Sequence, residues 1–177
     1  LKKASNMKKI LVLGCCGAGK STFSKKLHSV LKLPLIHLDS YYHKPNWVEP
    51  EKEEWDKVLK KILRGKSWIM DGTYLESLDK RIKKSDTIIY LDYSLIKCFF
   101  RVIKRVLIDF GKKRSDMALG CKEEFDLEFL WFVLTFNNKF RKGLIQKLNL
   151  VKDKKKVLVF KTDKQADKFL AQISEFK

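Results

Sequence analysis

Apolar and β-branched residues gather in five short runs along the chain, at Lys9–Leu13, Leu35–Leu38, Ser67–Met70, Thr87–Leu91 and Lys156–Phe160. Longer stretches with helical spacing separate them. Runs that are apolar along their whole length, such as "TIIYL", suit strands covered on both faces. Connections of this length suit right-handed crossovers between parallel neighbours. The pattern therefore predicts an α/β, doubly wound chain built on a parallel sheet. No internal repeat, low-complexity segment or Pro/Gly-rich linker interrupts it, so residues 7–177 are expected to form a single domain.

The stretch between the fourth and fifth runs is unusually long and reads as two helices with a polar break at "FGKKRSDMALG". In the first helix Phe99, Ile103, Val106 and Phe110 share a face, while Lys97, Arg101, Lys104 and Arg105 form a basic stripe on another. In the second, Phe125, Phe129, Phe132, Phe136 and Phe140 recur at helical spacing. Such a stripe is read as core in preference to a ligand-stacking surface.

Composition narrows the class. At 177 residues and 45% hydrophobic, the chain can bury one ordinary core. The longest unbroken apolar runs, such as "FLWFVL", fall well short of the roughly 18 residues that cross a bilayer, and a cytoplasmic protein with no membrane partner is expected. The segment "MKKILVLG" from Met7 has the look of a natural start, so Leu1–Asn6 is set aside as read-through or non-native sequence. The 4 cysteines, Cys15, Cys16, Cys98 and Cys121, have neither disulfide-framework nor zinc spacing and are read as reduced thiols. A formal charge of +18 points to acidic partners, among them polyphosphates and nucleic acid, or to a solvated lysine-rich surface.

One motif carries specific chemistry. Gly14-Cys15-Cys16-Gly17-Ala18-Gly19-Lys20-Ser21 satisfies the pattern G-x-x-x-x-G-K-[ST], with a strand before it and a helix after it. A polyphosphate must be wrapped by backbone N–H groups at a helix N-terminus, and glycines permit both the close approach and positive φ. Gly14, Gly17, Ala18, Gly19, Lys20, Ser21 and Thr22 are the expected phosphate-binding residues. Lys20 would meet the β- and γ-phosphates, and the Ser21 hydroxyl would ligate Mg²⁺.

In a parallel sheet the strand C-termini converge on this loop, so acids at those ends are candidates for metal and base roles. Asp71, which ends "SWIMD", is the expected second Mg²⁺ residue. Asp39, which ends "LIHLD", is placed to act as general base toward an acceptor hydroxyl. Asp92 ends "TIIYLD" and is left between a site role and that of a turn or helix-start carboxylate. Arg101, Arg105 and Arg114 could supply positive charge to a moving phosphoryl group from a mobile segment spanning about residues 95–120.

Beyond these readings, "GAGKST", "LPLIHLDSYYHKPNWVEP", "WIMDGTY", "RSDMALGC" and "EEFDLEFL" resemble segments of the bacterial DNA topology modulation proteins, relatives of the adenylate kinase group. "HLDSYY" is also similar to a uridine kinase segment. The resemblance implies a P-loop, adenylate-kinase-like fold with five parallel strands in the order 2-3-1-4-5, a helical lid, and binding of ATP and Mg²⁺. It implies a small-molecule kinase and strengthens Asp39 as an acceptor-site residue. Adenylate kinases carry Asp-Gly-Phe-Pro-Arg where this chain has Asp71-Gly72-Thr73-Tyr74, so the arginine that grips a monophosphate is missing, with Arg81 the nearest substitute. A second reading is a nucleotide-binding regulatory protein that hydrolyses ATP slowly and touches DNA through the Lys97–Arg105 stripe; no DNA-reading module is visible in the sequence.

Overall fold

The computed structural model describes residues 7–112 and 115–175; Leu1–Asn6 and Arg114 lie outside the described residues. The five apolar runs are strands: β1 (Lys9–Gly14), β2 (Leu35–His37), β3 (Trp68–Asp71), β4 (Thr87–Leu91) and β5 (Lys156–Phe160). All pair in parallel, in the order β2-β3-β1-β4-β5. β1 is the central strand, with Leu11 registered against Met70 of β3 on one side and Ile88 of β4 on the other. Every residue of β3 and β4 is buried, as their unbroken apolar sequences require, whereas edge strand β5 is mostly half-exposed.

Among the described residues there are eight α-helices: α1 (Lys20–Leu31), α2 (Asp39–Tyr42), α3 (Lys52–Leu63), α4 (Leu78–Lys84), α5 (Leu95–Asp109), α6 (Leu127–Phe136), α7 (Lys142–Val151) and α8 (Asp163–Ser174). The period-two alternation of the strands splits the core between the sheet's two faces. Ile10, Val12, Ile69, Ile89 and Leu91 pack with α1, α5, α6 and α8, while Leu11, Leu13, Met70, Ile88 and Tyr90 pack with α3, α4 and α7. Ser94 caps α5, Asp126 caps α6 and Thr162 caps α8, each side chain accepting from a first-turn N–H. Among the described residues no helix is long and apolar enough to cross a membrane. The four cysteines are free thiols.

Two sequence expectations fail in this region. Phe110 is 63% exposed, because α5 buries Cys98, Val102 and Val106 and ends before Phe110 can join that face. The phenylalanine stripe is only partly core. Phe136 is 2% exposed, Phe129 and Phe140 are half-buried, and Phe125 and Phe132 are exposed. α6 is apolar nearly all round, so the recurrence of one residue type does not choose its buried face; Leu130, Val133 and Phe136 do.

Between α6 and α7 the chain makes a π-helical turn over Asn137–Arg141. The turn delivers Arg141 to Asp92, where Nε and Nη2 each donate to one carboxylate oxygen at 2.7 Å. Asp92 is thereby an ion-pair partner tying β4 to this turn, rather than a helix-start carboxylate.

Candidate active site

The loop between β1 and α1 turns on glycine. Gly17 and Gly19 adopt φ of 78° and 84°, and a Cβ on Gly17 would collide with the Cys98 carbonyl oxygen on α5. No side chain caps the start of α1, so its first N–H groups keep their donors for an anion. Lys20 Nζ curls over the loop and donates to the carbonyls of Gly14 at 3.0 Å and Cys15 at 3.1 Å. The start of the loop is held from β3's side: the Thr73 hydroxyl accepts from Gly14 N–H at 3.2 Å and donates to Gly14 C=O at 2.7 Å.

The two carboxylates singled out in the sequence occupy neighbouring strand ends and have different partners. Asp71, 3% exposed, accepts from or shares a proton with His37 Nδ1 at 2.8 Å. Burial acts to lower the His37 imidazole, but the hydrogen bond and the charge of Asp71 outweigh it and hold His37 above its ordinary value. Asp39, in the first turn of α2, accepts from the Tyr74 phenol at 2.6 Å. Burial, reinforced by the charge of Asp39, pushes that phenol far above its ordinary value, so Tyr74 is a fixed donor. His43 Nε2 lies 3.4 Å from the same phenolic oxygen.

Arg81 does not reach into the cleft. It is fully buried, and its guanidinium donates to three successive carbonyls, those of Gly72 at 2.7 Å and of Thr73 and Tyr74 at 2.6 Å each. Burial away from water lowers it to about 10. The expectation that Arg81 substitutes for a monophosphate-gripping arginine is therefore wrong: α4 points the side chain back into the loop that follows β3, and all its reach is spent on main-chain oxygens.

Arg101 and Arg105 stand on the opposite flank. A Cβ on Gly19 would touch Arg101 Nη1 at 3.7 Å, so this guanidinium lies over the phosphate loop. It donates to Asp163 at 2.8 Å, an acid that also pairs with Lys97 at 2.6 Å. Arg105 donates to Glu123 at 2.7 Å and lies 5.7 Å from the Phe129 ring centroid. Three of the four basic residues of the α5 stripe thus turn toward acids at the cleft, and Lys104 is left on the exposed side. Arg114 lies outside the described residues.

The segment after α5 has more to hold it than its polar sequence suggests. Ser40 Oγ donates to the Asp116 carbonyl at 2.9 Å, Asn46 N–H to that of Gly120 at 3.3 Å, and Trp47 Nε1 to that of Lys122 at 2.9 Å. Met117, Ala118 and Cys121 form a small cluster against Trp47. Residues 115–122 are therefore seated on the segment after β2, while α5 itself is anchored in the core through Cys98, Val102 and Val106.

These elements enclose one cleft of about 1970 Å³, lined by the phosphate loop, Ser21, Thr22, Asp39, Asp71, Arg101 and Arg105. It continues past Arg105 along Phe129, Phe132, Phe136 and Phe140. The sequence reading missed His37, Thr73, Tyr74, Asp163 and Glu123 as partners of the named residues. The one available signal was the density of aromatic and histidine residues in "HLDSYYHKPNW".

No protein-family model matches the chain, and no curated protein matches it in sequence. Solved structures do match. The chain is similar to a shikimate kinase from Bacteroides thetaiotaomicron, with 19% identity, 96% of this chain and 98% of that one covered, and a TM-score of 0.59. It is also similar to a deoxyadenosine kinase from M. mycoides with bound dATP, with 19% identity, coverage of 95% and 96%, and a TM-score of 0.50. At such identities the likeness is one of fold, and the chain has the P-loop kinase fold with its sheet order 2-3-1-4-5.

Proposed function

We propose that the protein is an ATP- and Mg²⁺-dependent phosphotransferase, a small-molecule kinase of the nucleoside- or nucleotide-kinase-like kind, acting in the cytoplasm. The observation that carries this reading is the opening of the glycine–lysine loop and the Asp39–Tyr74 pair onto the same cleft. A single small ligand fills roughly 300–1,000 Å³, so about 1970 Å³ leaves room for a donor and an acceptor together.

In this reading Gly17, Ala18, Gly19, Lys20, Ser21 and Thr22 hold the triphosphate, and Lys20 exchanges the Gly14 and Cys15 carbonyls for phosphate oxygens. Mg²⁺ would be held by the Ser21 hydroxyl and, through water, by Asp71; when bound it neutralises phosphate charge. This all-oxygen pair suits a hard ion that keeps most of its waters. Among the described residues no cluster of three or more acids, histidines or cysteines competes for a metal. Asp39 takes the proton of the acceptor hydroxyl as the bond to phosphorus forms, and Tyr74 fixes the carboxylate for that task. Arg101 and Arg105 leave Asp163 and Glu123 to meet the transferring group. The motif resemblance to the DNA topology modulation proteins fits this assignment. The orientation of Lys97, Arg101 and Arg105 toward the cleft favours it over a DNA-contacting stripe.

Calorimetric titration with MgATP tests the reading. The native protein should bind, and Lys20→Ala should remain folded and lose about two orders of magnitude in affinity. Equal affinity in the two would refute it.

A further inference from the structure

The two parts of the cleft differ in the basic residues they contribute. Outside residues 39–77 its lining mixes signs, with Lys20, Arg101 and Arg105 beside acids such as Glu123, Asp163 and Asp167. Between Asp39 and Ser77 the described lining contributes Asp39, Glu49, Asp71 and Glu76 and no lysine or arginine. In a chain of net charge +18, the part of the lining that holds acids and no lysine or arginine is the part that carries the acceptor-side carboxylate.

The same part is walled by aromatic rings. Tyr42 lies 4.5 Å from Tyr74 and 5.0 Å from Trp55, centroid to centroid, and His43 lies 5.2 Å from Trp47. All five line the cleft. The Tyr42 phenol donates to Glu49 at 3.1 Å. Burial, with the charges of Glu49 and Glu76, pushes it up to about 12, and both carboxylates line the same cleft. His43 Nδ1 is buried with no hydrogen-bond partner among the described residues. The guanidinium that could have gripped a phosphate or carboxylate, Arg81, is bound to the carbonyls of Gly72, Thr73 and Tyr74.

We infer that the acceptor is a hydroxylated cation, an amino or ammonium alcohol whose positive end rests among Tyr42, Trp47 and Trp55 facing Glu49 and Glu76, with its hydroxyl at Asp39. Aromatic faces and carboxylates attract a cation and repel an anion, and an anionic acceptor would meet uncompensated negative charge here. The electron-rich rings need no fixed geometry to do this, so the recognised group can be primary or quaternary. This inference rests on the phosphotransferase reading. In the step itself the acceptor oxygen bonds to the γ-phosphorus, the β–γ bridging bond breaks with its electron pair left on ADP, and the hydroxyl proton passes to Asp39.

The test is calorimetric binding of matched probes to the protein loaded with Mg²⁺ and a non-hydrolysable ATP analogue. Choline is compared with its neutral carbon isostere, and glucosamine with glucose and a sugar phosphate. At least one cation should bind about tenfold more tightly than its neutral counterpart, and the sugar phosphate should bind worst. The double substitution Glu49→Gln, Glu76→Gln should bring the cation and its neutral counterpart to parity, while titration of the ATP analogue into the same variant reports whether the phosphate site is intact. If the analogue binds but the neutral or anionic probe matches or exceeds the cation, or no cation binds, the inference is overturned and the phosphotransferase reading stands. Failure of the analogue to bind the native protein would overturn both.

Discussion

The Tyr74 phenol donates to the Asp39 carboxylate at 2.6 Å, joining the turn after β3 to the first turn of α2 across the mouth of the cleft. The backbone that presents Tyr74 is unusual, with φ of 20° and ψ of 81°, a conformation that L-residues rarely hold without outside support. Removing only the hydroxyl, as in Tyr74→Phe, should cost about 1 kcal/mol of stability and leave MgATP affinity unchanged. Turnover should fall by roughly an order of magnitude, because Asp39 loses the donor that orients it. Thermal unfolding and steady-state kinetics check the two halves of this statement, and unchanged turnover would remove Tyr74 from the site.

Arg81 supplies that support. Arg81→Met keeps the volume and removes the donors to three carbonyls, so chemical denaturation should show a loss on the order of 3 kcal/mol. Arg81→Lys should recover little of it, since a single ammonium cannot reproduce the planar fork. A loss below about 0.5 kcal/mol would mean that the Gly72–Tyr74 turn holds its shape unaided.

Asp71 and Asp39 should separate under conservative substitution. Asp71→Asn is expected to weaken the magnesium-dependent part of nucleotide binding about tenfold, whereas Asp39→Asn leaves it intact; both should abolish transfer. Titrations with and without Mg²⁺ on the two variants decide the matter. Equal losses would show that the roles are divided wrongly.

Arg101 and Arg105 are expected to act on the transferring group more than on bound nucleotide. Arg101→Ala and Arg105→Ala should each lower turnover about a hundredfold and raise the nucleotide dissociation constant less than about fivefold. Arg105→Ala breaks an ion pair to the buried Glu123 carboxylate, whereas Arg101→Ala breaks one to the more exposed Asp163, so the melting temperature should drop further in Arg105→Ala. The reverse ranking would place the structural role on the wrong arginine.

How far the sequence reveals this molecule follows from which interactions are local. β4 ends at Leu91 as its apolar run predicts, and the glycine–lysine loop is recognisable because strand, turn and helix are consecutive in the chain. The partners of Asp71, Asp92, Arg101 and Arg105 lie 34, 49, 62 and 18 residues away, and nothing in local periodicity records such pairings. Arg81 misleads for a related reason: its distance from the Asp-Gly motif is readable, but the direction in which α4 points it is set by packing of Leu78 and Ile82 beneath the sheet. The phenylalanine stripe fails differently, since a helix apolar on every side carries no signal for the face that meets the cleft.

The central claim is that the loop around Lys20 passes a phosphoryl group to an acceptor at Asp39. The most direct measurement follows radiolabel from the γ-phosphate of ATP in the presence of Mg²⁺ and a panel of amino alcohols, sugars, nucleosides and nucleotides. The account predicts label in an organic phosphate ester with the native protein, and in none with Lys20→Ala or Asp39→Asn. Label appearing solely as inorganic phosphate, at a rate no acceptor changes, would contradict it.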